Sequence, residues 1–349
     1  MKKIITFGLC VLLCCSSLLF AESVELVGGK LKLVLYPKTG TFSLYHLSDV
    51  GKNRYEPLYE DRNDGITNWY SVNSNGRIFK LEKKPFRPVE IEVTETGAKF
   101  IFTPSDDFQV EQEFSFVNDP ETAIPAAVRI ETRVENTSGK VGTFAVKALY
   151  DTILGENQGI HFSTDLRNRV STETKFVAGV NPDKVLVSQN KTNSLMFLLG
   201  ESVPNRHESM YVANWNRLNT HSWLPEFVEG RSFNTQYSIN DSAVLIVWPE
   251  RKLAANRKMI TELIIGPYTP SLIPGYVPGS AAETDRLADS EYVYTEAEML
   301  SFTVWERQQA ILRLFERIEE IEANPESATD EELVQLNEAL DFLLEQTQE

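Results

Sequence analysis

Trp69-Tyr70-Ser71-Val72-Asn73-Ser74-Asn75-Gly76-Arg77-Ile78-Phe79-Lys80-Leu81 is the stretch on which the reading of the fold turns. Trp69 to Val72 and Arg77 to Leu81 alternate in polarity with period two, as half-buried strands do. Between them, Asn75-Gly76 is a strong hairpin signal, because both residues accept the positive φ of a two-residue type I′ turn. The same grammar runs outward in both directions. Upstream, Val24-Glu25-Leu26-Val27 meets Gly28-Gly29. Lys30 to Tyr36 then alternates, Pro37-Lys38-Thr39-Gly40 turns, and Thr41 to Tyr45 alternates again. Downstream runs fall at Val89–Thr94, Lys99–Thr103, Phe108–Phe116, Ala127–Glu135 and Gly142–Tyr150, with Asp106-Asp107 as a hairpin tip. Later ones fall at Lys184–Val187, Ser194–Leu199, Ser209–Ala213, Ser232–Tyr237, Ser242–Trp248 and Met259–Gly266. Fourteen or so short strands with almost no helical window predict a mainly β chain. The expected domain is a large antiparallel β-sandwich over residues 22–266, with no helix beyond about three turns.

The period changes at Thr295. Thr295-Glu296-Ala297-Glu298 fits a capping box, and Val304, Ile311, Leu314, Ile318 and Ile321 follow as a nearly heptad stripe. Asn324-Pro325-Glu326-Ser327 breaks that helix. Thr329-Asp330-Glu331-Glu332 caps a second one bearing Leu333, Leu336, Leu340 and Leu343. Residues 295–349 are therefore expected to form an antiparallel α-helical hairpin, reached through an extended linker at 267–294 that holds Pro270, Pro274 and Pro278. The hairpin is acidic, with 15 Asp or Glu against 3 Arg, a net of −12. Phe302, Trp305, Leu312 and Phe315 lie off its internal seam and are the expected partner-binding residues, packing on the sandwich or on another molecule.

The other end of the chain has the form of an export signal. Lys2-Lys3 precede an apolar run from Ile4 through Leu13, and cleavage is expected after Ala21. A lipoprotein acylated at Cys14 or Cys15 is the alternative, although Leu13 is bulky for the preceding position. The apolar run is shorter than the ~20 residues a span requires. All 3 cysteines lie in this segment, so a chain starting at Glu22 has no thiol, disulfide or thiolate metal site. Across 349 residues the formal charge is −16, which argues against nucleic acid as a partner, because phosphate binding needs a clustered basic surface. The expected location is periplasmic or secreted, with no membrane insertion after cleavage.

Chemical motifs are sparse. The 4 histidines, His46, His161, His207 and His221, show no metal-ligand spacing. There is no Gly-x-Ser-x-Gly elbow and no glycine-rich phosphate loop. Asp61-Arg62-Asn63-Asp64-Gly65 superficially has the look of a calcium loop, but its glycine comes one place early and Val72 stands where a closing Glu belongs. No catalytic residue, metal ligand or cofactor is assigned. Two stretches mix aromatic rings with amides: Asn68-Trp69-Tyr70, and Asn214 through Trp223. Aromatic faces stack on sugar C–H groups while amides and arginine bind hydroxyls, so Trp215, Asn216, Arg217, His221 and Trp223 are the expected ligand-binding residues for a carbohydrate. Glu226 and Glu229 lie close by in sequence.

Asn136-Thr137-Ser138-Gly139-Lys140-Val141-Gly142, followed by Asp151-Thr152-Ile153-Leu154-Gly155-Glu156-Asn157-Gln158-Gly159, resembles a recurring piece of exported bacterial β-proteins. Tyr36 to Tyr45 is similar to their opening. Those proteins look like galactose-mutarotase-type supersandwiches, and the resemblance implies that fold over residues 25–265. It brings no catalytic pair into matching positions. Asp151 and Asn157 read as turn residues whose side chains satisfy backbone donors. The whole layout, sandwich then acidic hairpin, also looks like a component of a spirochaete-type periplasm attached to the flagellar filament. The leading expectation is a non-catalytic exported assembly protein that binds an envelope or filament protein through its hairpin. The alternative is a carbohydrate-binding or carbohydrate-active protein using a concave sheet face.

Overall fold

The computed structural model describes residues 23–275, apart from 86, 95, 157–159, 200–202, 204, 236, 237, 239 and 240, together with Ile318 and Ile321, both helical. The chain divides into two compact units, Met1–Tyr276 and Val277–Glu349, and every sheet below belongs to the first. The signal segment and, apart from those two isoleucines, the helical hairpin with Phe302, Trp305, Leu312 and Phe315 lie outside the described residues.

In chain order the strands are β1 (Val24–Gly28), β2 (Leu31–Tyr36), β3 (Thr41–Asp49), β4 (Arg54–Pro57), β5 (Trp69–Ser74), β6 (Arg77–Lys80), β7 (Glu90–Val93), β8 (Gly97–Ser105), β9 (Phe108–Asn118) and β10 (Pro125–Asn136). There follow β11 (Gly142–Thr152), β12 (Ser163–Thr164), β13 (Thr174–Val177), β14 (Val185–Gln189), β15 (Ser194–Leu198), β16 (Ser209–Asn214), β17 (Ser242–Val247), β18 (Arg251–Leu253) and β19 (Lys258–Gly266). Two helical turns interrupt them, α1 (Arg62–Gly65) and α2 (Trp215–Leu218). All strand pairs are antiparallel, so the mainly β expectation stands.

Three sheets result. β1 to β4 form a four-stranded meander. An eight-stranded sheet runs β12-β14-β15-β19-β10-β9-β8-β7. A seven-stranded sheet runs β13-β16-β17-β11-β5-β6, with β18 also on β11. Thus β19 lies between β15 and β10, joining the two halves of the eight-stranded sheet. The β5–β6 turn is the one the sequence specifies, with Asn75 at φ 52° and Gly76 at φ 82°.

The alternating residues of β8 to β10 bury Ala98, Phe100, Phe102, Phe108, Val110, Phe114, Val128, Ile130 and Val134. Across the layer, Phe108 meets Phe144 of β11 edge-on at 5.7 Å, and Tyr150 of β11 meets Phe197 of β15 at 5.5 Å. Phe42 of the meander touches Tyr70, Tyr150 and Phe114, wedging the third sheet against the other two. On the outer face of the eight-stranded sheet the residues between the buried ones are mostly charged, with Lys99, Glu111, Glu113, Arg129, Glu131 and Arg133 among them. Arg133 there bridges Glu111, Glu113 and Glu131 across two strands.

By contrast, β11, β16 and β17 are buried on both faces. The second face is covered by the segment from 215 to 234, which includes the stretch expected as a strand at Ser232–Tyr237. Among its described residues that strand does not form. Ser232 makes one isolated bridge to Thr172, because the Arg217 guanidinium takes the carbonyls of Ser232 and Asn234 that a neighbouring strand would otherwise use.

Candidate functional site at one end of the seven-stranded sheet

β11 and β16 end, and β5 and β17 begin, along the same edge of the seven-stranded sheet. Antiparallel register therefore brings together residues far apart in sequence. Asp151 stands one residue before the end of β11, Asp241 one before the start of β17, and Glu156 in the turn after β11. One carboxylate oxygen from each lies within 4.8 Å of the others. The Asp151 side chain therefore faces two other acids, a role its reading as a turn residue missed; Asn157 lies outside the described residues.

Neighbouring groups fix each acid. The Asn68 side chain accepts from the Asp151 backbone N–H at 2.7 Å and donates to the Glu60 carbonyl at 2.6 Å, tying α1's approach to β11. The Ser242 N–H donates to Glu156 at 2.9 Å, and the Ser238 hydroxyl donates to Asp241 at 2.6 Å. Burial raises the Asp151 carboxyl to about 7, with the Asp241 charge adding to the effect. Burial likewise raises Glu156 to about 8, opposed in part by the Ser242 N–H, and raises Asp241, opposed by the Ser238 hydroxyl. At the rim, burial pushes Glu60 up but hydrogen bonds from Arg62 outweigh it, and its carboxyl falls below the ordinary range. Desolvation of several like charges at one place is the physical origin of these shifts. At neutral pH such a cluster contains both a proton donor and a proton acceptor. Its oxygens are also close enough together for one divalent cation to touch all three.

Of the residues expected to bind ligand, Trp215 borders this cluster. Its backbone N–H donates to the Asp241 carbonyl at 3.1 Å and its indole to the Thr67 carbonyl at 3.4 Å. Asn216 is exposed, its N–H capped by Asn214. The Arg217 guanidinium is spent on Glu173 and on the Ser232 and Asn234 carbonyls. His221 is exposed on the covering segment.

Trp223 belongs to a second arrangement on the same sheet face. Lys147, 1% exposed, donates from Nζ to the carbonyls of Ser222 at 2.7 Å and Trp223 at 3.2 Å. Its ammonium lies 5.2 Å from the ring centres of both Trp69 and Trp223. Trp69 in turn donates to the Asn219 side chain at 3.3 Å. The two aromatic–amide stretches, some 150 residues apart, thus meet around one buried lysine, whose amine burial lowers to about 8. The other histidines do different things. His161 packs edge-on against Phe233, His46 bonds Asn193, and His207 is buried.

No protein-family model matches the sequence, and no curated protein matches it. Solved structures do. One is a putative aldose 1-epimerase from Escherichia coli K12, at 9% identity and TM-score 0.45, over 70% of this chain and 98% of that one. Another is a galactose mutarotase-like protein from Lactobacillus casei, at 8% identity and TM-score 0.42, over 70% and 100%. A third is the GalM/aldose epimerase homologue from C. elegans, at 8% identity and TM-score 0.40, over 70% and 98%. The structural neighbours are thus galactose mutarotase-like β-sandwich proteins, the kind of fold the sequence resemblance implied. At this distance the likeness carries no activity with it. The spirochaete-like layout finds no support among them, and its acidic hairpin, apart from Ile318 and Ile321, lies outside the described residues.

Proposed function

We propose that this is an exported saccharide-binding protein with acid–base capacity at the end of its seven-stranded sheet. The observation that carries the reading is the meeting of Asp151, Glu156 and Asp241 beside Trp215, with two of the three carboxyls titrating near neutrality. A sugar ring offers an apolar face to an indole and hydroxyl or ring oxygens to carboxyl groups, and near-neutral pKa values suit reversible proton transfer to those oxygens. In this reading Trp215 packs on the ring, and Arg62 at the rim orients outer hydroxyls. The acid pair gives one proton and takes another.

A glycan array followed by polarimetry of freshly dissolved glucose and galactose tests the proposal. We expect saturable glycan binding or faster anomerisation, lost in Asp151→Asn and Glu156→Gln by about a hundredfold where proton transfer is involved. Silence in both assays refutes it. A rise in melting temperature on adding calcium at neutral pH, abolished by the same variants, would replace proton transfer with a cation site.

Export by a signal cleaved after Ala21 is part of the proposal. Docking of an envelope or filament protein through Phe302, Trp305, Leu312 and Phe315 remains a separate one, supported by sequence pattern alone. Polar replacement of Leu312 and Phe315 should abolish association without changing the melting temperature if the stripe serves a partner.

A further inference from the structure

Where β9 turns into β10, β14 turns into β15 and β19 stops, the end of the eight-stranded sheet faces the meander across an open cleft of about 750 Å³. That size lies within the ~300–1,000 Å³ usual for small-molecule sites. None of its lining residues belongs to the carboxylate cluster.

One wall carries a side-chain relay. His46 of β3 and Glu56 of β4 are register partners, and Asn193, 5% exposed in the β14–β15 turn, joins them. The Asn193 amide donates from Nδ2 to Glu56 at 2.6 Å, while its Oδ1 lies 2.9 Å from His46 Nδ1. A carboxylate accepts only, so the amide turns its NH2 to Glu56 and its oxygen to the ring. Nδ1 of His46 therefore carries a hydrogen, and Nε2 is left for another partner. His46 lines the cleft half-buried, with no second side-chain bond among the described residues. Gln189, at the end of β14, lines it too, and its amide is likewise unengaged among the described residues. Ile124, 53% exposed, adds apolar surface with Pro125 and Pro267.

The remaining groups narrow the ligand. Asp119 is the one carboxylate of the lining, and it already accepts from the Glu121 N–H and from the Thr122 and Ser271 hydroxyls. Lys30 and Lys191 also line the cleft, but they are exposed and stand on separate turns, and a neutral ligand needs neither. The turns bond within themselves, Asn190 N–H to the Asn193 carbonyl and Asp119 N–H to that of Ile124, so they present no ladder edge to an extended peptide. What is offered is a fixed imidazole nitrogen and an amide that both gives and accepts, beside apolar surface. Ring hydroxyls next to a C–H face match that set.

We propose that this cleft binds a neutral saccharide, whose hydroxyls are taken by His46 Nε2 and the Gln189 amide. The site does not depend on the function proposed for the carboxylate cluster.

A glycan array of neutral gluco-, galacto-, manno- and xylo-oligosaccharides tests this, followed by titration calorimetry of the best binder. Both are run on the full chain carrying Asp151→Asn and Glu156→Gln, so that the carboxylate cluster is out of play. We expect saturable binding that added salt barely changes. Adding Gln189→Met, which removes the amide at nearly equal length, should weaken it about three- to tenfold. The melting temperature should stay where it was, because that side chain holds nothing else in place. His46→Phe should weaken binding by a similar factor. It also takes the donor from buried Asn193 Oδ1, so a fall in its melting temperature is expected, and Gln189→Met decides the case if it does not fold. Unweakened binding in Gln189→Met overturns the proposal, as does binding of no neutral glycan. Binding of acidic glycans alone, lost in salt, overturns it as well and would make the cleft an anion site.

Discussion

Asp151, Glu156 and Asp241 give the protein a pH dependence whose sign follows from linkage. Unfolded carboxyls titrate near pH ~4, whereas Asp151 and Glu156 in the fold titrate at about 7 and about 8. The folded state therefore retains protons that the unfolded state has lost. The stability this contributes is fully present below pH ~4 and declines as pH rises through the folded values. Asp151→Asn should flatten that decline, so its melting temperature relative to wild type should improve between about pH 5 and about pH 9. An unchanged difference across that range would show that the three acids do not share a desolvated site. Lys147 calls for a different test. Lys147→Met keeps the stem among the tryptophans but leaves the Ser222 and Trp223 carbonyls without their donor. We expect a loss of about 1–3 kcal/mol in urea unfolding, with altered tryptophan fluorescence. Neither site was legible residue by residue. Asp151 in Tyr150-Asp151-Thr152 has the look of any strand end, and what changes its chemistry is burial, with the charge of Asp241, 90 positions away, adding to it.

The covering segment is held by one buried acid. Glu173, fully buried, receives the guanidinium groups of Arg217 and Arg231 and the N–H of Val228, gathering three points of the excursion between β16 and β17. Removing it strands two arginines, so Glu173→Ala should cost about 3–5 kcal/mol and open residues 219–230 to limited proteolysis. Full protection of that segment in the variant would contradict the assignment. In β8, a Cβ on Gly97 would stand 1.8 Å from the Phe114 carbonyl oxygen. Gly97→Ala should therefore cost at least about 1–3 kcal/mol through displaced β8–β9 pairing, measured by thermal melting. Elements with strong alternation were readable from sequence, as β8, β9, β10 and β19 show. β4, β12, β13 and β18 were not, since two to four residues carry too little periodicity. Ser232–Tyr237 alternates as a strand does, yet the carbonyls of Ser232 and Asn234 go to Arg217, a tertiary choice that local pattern does not contain.

At the scale of the whole molecule, the sequence pattern conveyed the mainly β architecture of residues 23–275 because burial on one face of each long strand is a local constraint. It did not convey which strands become neighbours. A chain ending at Tyr276 should give a circular dichroism spectrum dominated by strand, and the full chain should show added helical signal if the expected hairpin forms. Strong helicity in the shortened chain would contradict the period-two reading of residues 24–265. The position of β19 sets an order in time. Its partners Val128 to Glu135 on β10 are delivered more than a hundred residues earlier, and until β19 arrives the β12-β14-β15 and β10-β9-β8-β7 portions have no shared ladder. Such distant closure makes for slow folding. Under the export proposed above, this delay would be useful: the two portions stay unjoined, and threadable, until β19 has followed them through.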